Sequence, residues 1–435
     1  MKNIGAKLYK KKSKKILGGN MLLSKNPNMI LPGQWPTYYS KSKGTCLWDL
    51  SNKKFLDMMC YVGQSTLGYN NSLIDNAVKK AIKQGNMTSL NSYEEIQLAE
   101  ELIKIHPWAN KVKFCRSGGE ANALAVRIAR SATNRQNIAI CGYHGWHDWY
   151  LSVNLKNKND LNEHILPGLE PAGVHKNLKN TAFPFKYGNL KQLISLIKKK
   201  NIGIIKMEVA RNSLPNIDFL KKVREISNKY KIILIFDECT SGFRRNLGGL
   251  HMTTGVYPDL AMFGKALGNG YAITAVIGKE KIMAKAKKSF ISSTFWTERL
   301  GYVAALSTLR YMKKYKSWKK LISFGQYINK QWMRISKKNQ VPIQITGFES
   351  ITQFNFKSKN NHYLRNFLTQ EMLKKNILAT NLIFLNICHS KKVIDRYIKE
   401  LDTVFKKINN IEKYGTKNYF LKGKKSFTSF TRLTD

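Results

Sequence analysis

Acidic residues, arginine and paired cysteines are what this chain has little of. Its 435 residues include 27 Asp+Glu against 74 Lys+Arg, a formal net charge of +47. Only 14 of the basic residues are arginine, the side chain best suited to bidentate phosphate recognition. No run of 18 apolar residues occurs, which excludes a transmembrane helix. The basic start, with Lys10-Lys11-Lys12 and Lys14-Lys15, lacks the apolar stretch of a secretory signal. The six cysteines are scattered, and no two stand at C-x-x-C spacing. That argues against a disulfide framework or a metal centre and fits a reducing, cytoplasmic setting. No internal repeat or low-complexity linker is present.

What the chain does have is an ordinary globular composition, with 43% hydrophobic residues. Its length allows two or three domains with a large core. The high charge first suggests a polyanion partner. However, the lysines are spread over the whole chain rather than gathered on one element, so they read as a solvated surface and nucleic acid is not the expected partner.

Residues 1–30 form a basic arm, read as mobile. Cys46–Asp49 and Phe55–Met58 make a hairpin around Ser51-Asn52. Between 94 and 105, Ile96, Leu98, Leu102, Ile103 and Ile105 recur at helical spacing. Val112–Cys115, Asn137–Cys141, Ile202–Val209, Ile232–Phe236 and Leu260–Phe263 read as strands. Ala121–Arg130, Leu190–Lys199 and Phe219–Tyr230 read as the helices between them. This alternation predicts an α/β fold, a doubly wound, mostly parallel sheet. The expected organisation is an arm (1–30), an N-terminal part of a small domain with a linker helix (31–90), a large domain (91–325), a C-terminal small domain of short mixed elements (326–412), and a basic tail without periodicity, read as disordered (413–435).

Three segments carry chemistry. Ile232–Phe236 ends in Asp237-Glu238, at the carboxyl edge of a sheet where ligands bind; alone, such a pair could equally be solvated or cap a helix. Val112–Cys115 runs through Arg116 into Ser117-Gly118-Gly119-Glu120, a strand, small-residue turn and helix start. This suits either an anion site or a plain turn with Ser117 as N-cap. Gly264-Lys265-Ala266-Leu267-Gly268 follows another strand and could bring an amine into a cleft, or simply decorate the surface.

Together they are more specific than apart. An anion cradle, a carboxylate one strand away and a lysine 28 residues beyond it match the needs of pyridoxal 5'-phosphate. That cofactor takes a phosphate site, an acid partner for its ring nitrogen, an amine for a Schiff base and an aromatic face. Tyr143 supplies the last. His144 and Trp146 beside it could line a substrate pocket or pack beneath the tyrosine.

These motifs resemble the class III (fold type I) aminotransferases, a family that includes glutamate-1-semialdehyde 2,1-aminomutase. Ser117-Gly118-Gly119-Glu120-Ala121 is similar to the family's phosphate turn, and Tyr143-His144-Gly145 to its ring-stacking motif. Asp237-Glu238 with Gly242-Phe243-Arg244 resembles its ring-nitrogen signature, and Gly264-Lys265 its Schiff-base lysine. The resemblance implies a large fold type I domain with a smaller α+β domain from both chain ends. It implies Asn212 as partner of the cofactor's 3-hydroxyl, and His144 among the cofactor residues. Thr294, in Ser293-Thr294-Phe295, is implied to reach the phosphate of a neighbouring subunit, hence a homodimer with shared sites. The implied activity is transfer of an amino group from a small amino-acid donor to a carbonyl acceptor through Lys265. The alternative is an aminomutase-type intramolecular transfer. The aminomutase holds its substrate carboxylate with an arginine near its N-terminus. No arginine precedes Arg116 here, and the matching stretch reads Gln34-Trp35-Pro36-Thr37-Tyr38. The family's Gly-Asn-Pro after the threonine is replaced by Thr297-Glu298-Arg299, which suggests a different substrate pocket.

Overall fold

The computed structural model describes residues 3–164, 167–210, 213–416 and 420–428. The chain forms two compact units, one from Ser72–Trp318 and one from Met1–Asn71 with Lys319–Thr428.

The larger unit is built on seven strands: β1 (Lys111–Cys115), β2 (Asn137–Cys141), β3 (Ala182–Pro184), β4 (Ile202–Glu208), β5 (Ile233–Asp237), β6 (Leu260–Phe263) and β7 (Thr274–Gly278). Their order across the sheet is β1-β7-β6-β5-β4-β2-β3. The pairs from β6 to β3 are parallel, and β7 alone runs against its neighbours. All seven residues of β4 and all five of β5 are buried, as in strands covered on both faces. The helices are α1 (Ser72–Gln84), α2 (Glu94–Ile105), α3 (Gly118–Ser131), α4 (Leu190–Lys200), α5 (Ile217–Lys229) and α6 (Arg299–Tyr315). Ala121, Leu124, Ala125 and Ile128 of α3 pack on Ile138, Ile140, Ile204, Ile235 and Met262 of the sheet. This is the expected doubly wound, mostly parallel architecture. The compact units divide the chain after Asn71, so α1, read from sequence with the N-terminal segment, packs within the large unit against α6.

The smaller unit is α+β. The hairpin Cys46–Asp49 and Lys54–Asp57 pairs Leu47 with Phe55. Its turn is closed by the Asp49 carboxylate, which accepts from Ser51 N and Lys53 N at 2.8 and 2.9 Å. Beyond residue 325 the sequence suggested short elements, but the helices Ser317–Lys338 and Lys391–Tyr414 have 22 and 24 residues. Their lysine-rich exposed faces hid the apolar stripe, in which Leu321, Ile328, Trp332, Tyr397, Leu401 and Phe405 are buried in one cluster.

Two end segments also differ from expectation. The arm forms the helix Ile4–Lys12, held by Asn3 Nδ2 on Gln34 O (2.7 Å) and Tyr9 Oη on Asn26 Oδ1 (3.1 Å). Tail residues 420–428, which lack periodicity because they contribute single contacts rather than an element, lie on this unit. Ser426 N donates to Asn366 Oδ1 and Phe427 N to Asn28 O, both at 2.8 Å. No helix among the described residues is long and apolar enough to cross a membrane.

Candidate active site

The carboxyl ends of β1, β2, β4, β5 and β6 deliver, in turn, Ser117, Tyr143 with His144, Glu208, Asp237 and Lys265. At the end of β1 the chain turns directly into α3, with Ser117 as N-cap. The Ser117 hydroxyl oxygen accepts from Glu120 N (3.3 Å), and Glu120 Oε2 accepts from Ser117 N (2.7 Å), a reciprocal capping box. The anion-site reading and the N-cap reading of this turn are therefore compatible. The box uses the serine oxygen as acceptor and leaves its O–H to donate, while the first helical amides, Gly118 and Gly119, have no intrahelical carbonyl to bond. Such a turn with its helix dipole favours an anion. A Cβ at Gly119 would lie 3.0 Å from the His147 ring and 3.3 Å from Trp146 Nε1, a tight fit that those side chains would have to relieve.

After β2 the chain crosses the α3 terminus. Gly142 has φ +116°, and a Cβ at that position would collide with the Glu208 carboxylate. Glu208 in turn accepts from Tyr143 N at 3.0 Å, which fixes the backbone that presents the half-exposed tyrosine ring. His144 points inward and is fully buried, with Nδ1 2.9 Å from Asp237 Oδ2. It therefore neither lines an open pocket nor merely packs beneath Tyr143; it is the direct partner of the carboxylate. Trp146, by contrast, is exposed.

Asp237 closes β5, and its second oxygen accepts from Cys239 N at 3.1 Å. Burial pushes this carboxyl up, but the His144 hydrogen bond and the Lys206 charge outweigh it and hold the pKa at about 2. The group is ionised at any working pH. Lys206 interrupts the apolar run of β4, is fully buried, and places Nζ 3.2 Å from Met262 Sδ. Neither Lys206 nor Glu208 was assigned a site role from sequence. The signal available in the sequence was a charged residue inside an apolar strand; that Glu208 stands opposite Asp237 is visible only in the sheet register.

Lys265 follows β6 in a left-handed conformation, φ +41°, uncommon for a residue with a side chain. Backbone held in this way is over-represented at functional sites. Its Nζ donates to Thr240 Oγ1 at 2.7 Å. Burial lowers its pKa and the buried Arg244 guanidinium adds to this, against the opposing charges of Cys239, Glu208 and Asp237. More of the nucleophilic free amine is thus present than for a surface lysine.

Thr294 is exposed at the start of a short 3-10 turn, Thr294–Thr297. Among the described residues it makes no hydrogen bond to the other candidate residues; its carbonyl accepts from Thr297 Oγ1. The turn is tethered to the anion cradle nonetheless. Arg116 Nε donates to Phe295 O (2.7 Å), its Nη2 to Trp296 O (2.9 Å), and Trp296 Nε1 donates to Glu120 Oε1 (3.1 Å). Asn212 lies outside the described residues. Glu298 and Arg299, read as signs of a different substrate pocket, both make local contacts. Glu298 caps α6, and Arg299 pairs with the Glu94 carboxylate through Nε at 3.1 Å and Nη2 at 2.7 Å.

The arrangement offers an anion cradle, an exposed aromatic face, an ionised buried carboxylate and an activated amine in one unit, a donor set that fits pyridoxal 5'-phosphate. A family model described as aminotransferase class-III matches residues 32–393. A 3-aminobutyryl-CoA aminotransferase from Cloacimonas acidaminovorans (strain Evry) is 32% identical over 355 residues, 79% of this chain and 82% of that protein. A glutamate-1-semialdehyde 2,1-aminomutase from Wigglesworthia glossinidia brevipalpis is 29% identical over 436 residues, 94% of this chain and 99% of that protein. Among solved structures, the FumI protein of Sphingopyxis sp. MTA144 in a PLP-bound form shares the fold. It has a TM-score of 0.85 at 22% identity, covering 94% of this chain and 98% of that one. With most of its length matched and the site's chemistry in place, this chain belongs to the class III aminotransferase family, and its cofactor is pyridoxal 5'-phosphate.

Proposed function

We infer that this enzyme moves an amino group between two molecules, from an amino-acid donor to a separate carbonyl acceptor. The observation that carries this reading is the fate of the stretch where an aminomutase would hold its substrate carboxylate. No arginine precedes Arg116. Gln34 Nε2 is bound to Lys422 O, and Trp35 is buried in a cluster with Ile30, Leu31 and Phe55. These residues are engaged in the packing of their own unit and bring no cation.

When bound, the cofactor supplies an aldehyde carbon that accepts amines and a ring that delocalises an electron pair. Ser117, Gly118 and Gly119 hold its phosphate and fix its orientation. Tyr143 offers its ring face, and Asn212 is the expected partner of the 3-hydroxyl. Asp237, kept anionic and oriented by His144, holds a proton on the ring nitrogen. Lys265 would be the cofactor's covalent anchor and, as a free amine, the base that takes the proton from the donor's α-carbon and later gives it back. Thr294, exposed and on a tethered turn, is carried toward a second subunit, so the working form is a homodimer. Phe295 beside it is 68% exposed and Phe290 84%, apolar area that such an interface covers.

The test is the visible absorbance of the loaded protein before and after L-glutamate, without acceptor. The expected result is loss of the visible band with about one equivalent of keto acid released per site, as a half-reaction requires. Return of a positional isomer of the added amine, with no keto acid from any donor tried, overturns the reading in favour of an aminomutase.

A further inference from the structure

Thr240 belongs to none of the roles assigned above, yet its hydroxyl accepts a hydrogen bond from the Lys265 amine, Nζ to Oγ1 at 2.7 Å. It lies three residues beyond Asp237, so this bond ties the turn after β5 to the turn after β6. Its own backbone is fixed on both sides. The fully buried Arg244 donates from Nε to Thr240 O at 2.5 Å, and Gly242 N donates to Glu238 O at 2.9 Å, closing the turn. A β-branched residue has few χ1 choices, so a fixed backbone also aims the hydroxyl.

We propose that Thr240 is a positioning residue for Lys265, its hydroxyl holding the lysine amine at the site whenever that amine is not covalently engaged. The inference rests on the role of Lys265 proposed above. A lysine released from a covalent bond has four rotatable bonds to explore, and each misdirected rotamer delays the proton transfer expected of it. The hydroxyl accepts an N–H from the amine or the ammonium and can reverse to donate to the free amine's lone pair. It therefore keeps hold of the group in either protonation state without itself carrying the proton. The charged or titratable groups acting on Lys265 are Arg244, Cys239, Glu208 and Asp237; none is altered by changing Thr240.

The experiment compares Thr240→Val, Thr240→Ala and Thr240→Ser with the parent enzyme. One readout is steady-state kinetics. The other, on apoprotein, is the rate at which added pyridoxal 5'-phosphate is trapped by borohydride on each peptide, read by mass. Losing one hydrogen bond to a charged or catalytic group predicts kcat and trapping rate about five- to tenfold lower in the valine and alanine proteins. Donor KM and thermal midpoint stay close to the parent's, and serine restores both rates. Equal rates in all four proteins, or a serine variant as slow as valine, overturn the inference. Should valine fail to fold, the alanine–serine comparison decides. A label found on a lysine other than Lys265 in the parent protein overturns the reading beneath it instead, so the two failures are distinguishable.

Discussion

At Asp237 a carboxylate taken out of water keeps its charge because a histidine and a lysine stand beside it. His144 is 2.9 Å from one oxygen, and Lys206 lies in the adjacent strand. A buried anion paired in this way is an acid–base element whose value lies in its charge rather than its shape. Asp237→Asn keeps the shape, and its carbonyl oxygen can still accept from His144. We expect this variant to retain cofactor, since Lys265 and the phosphate turn are untouched, and to lose about two to four orders of magnitude in kcat. The cofactor-to-protein absorbance ratio and kcat measured on the same preparation decide it; loss of bound cofactor would instead make Asp237 a binding residue. The aspartate was legible because it ends a strand in a recognisable motif. The pairing of its two supporters with it was not: His144 was placed among the cofactor residues by resemblance alone and Lys206 was given no role, since neither a histidine beside a tyrosine nor a lysine in a lysine-rich chain says what it faces.

Among the elements, α2 shows how a helix end is tied to the site's surroundings. It ends at His106, whose Nδ1 is 2.9 Å from Leu102 O and whose Nε2 accepts from Gly249 N at 2.9 Å. The ring is stacked on Phe263, centroids 4.8 Å apart, in the strand that leads to Lys265. Protonation at Nε2 would break the Gly249 bond. Burial, the largest cause, lowers this histidine's pKa from 6.5 to about 4. The unfolded chain therefore binds more protons between those values, and stability falls as the pH drops from about 6.5 towards 4, by up to about 3 kcal/mol from this group. Urea midpoints of apoprotein across that range should show the fall, and His106→Gln should be weaker at pH 7 but flatter with pH. A parent protein equally stable at pH 4.5 and 7 would contradict it. The sequence showed α2 clearly, through its apolar spacing, but not the turn its last residue secures.

For the whole molecule, the proposal that Thr294 serves a neighbouring subunit's site predicts a homodimer, checked by sedimentation of the loaded enzyme at its assay concentration; a fully active monomer would rule it out. The net basic charge is spread over the whole chain, whereas the groups that set the site's electrostatics are few and buried: Asp237 beside Lys206, and Lys265 beside Arg244. By itself the sequence determined the alternation of strands and helices, because apolar periodicity reflects which faces are buried. It also determined the motif at each strand end, because Ser117-Gly118-Gly119, Asp237 and Lys265 each stand beside a recognisable turn. It under-read the long helices Ser317–Lys338 and Lys391–Tyr414, because their exposed lysines dilute the apolar stripe, and it missed how both chain ends pack. What only tertiary structure decided was which groups meet across the sheet: His144 with Asp237, Glu208 with Tyr143, and Thr240 with Lys265. Those pairs join residues 25 to 93 positions apart, brought together by strand order and register, and local sequence pattern carries no record of either.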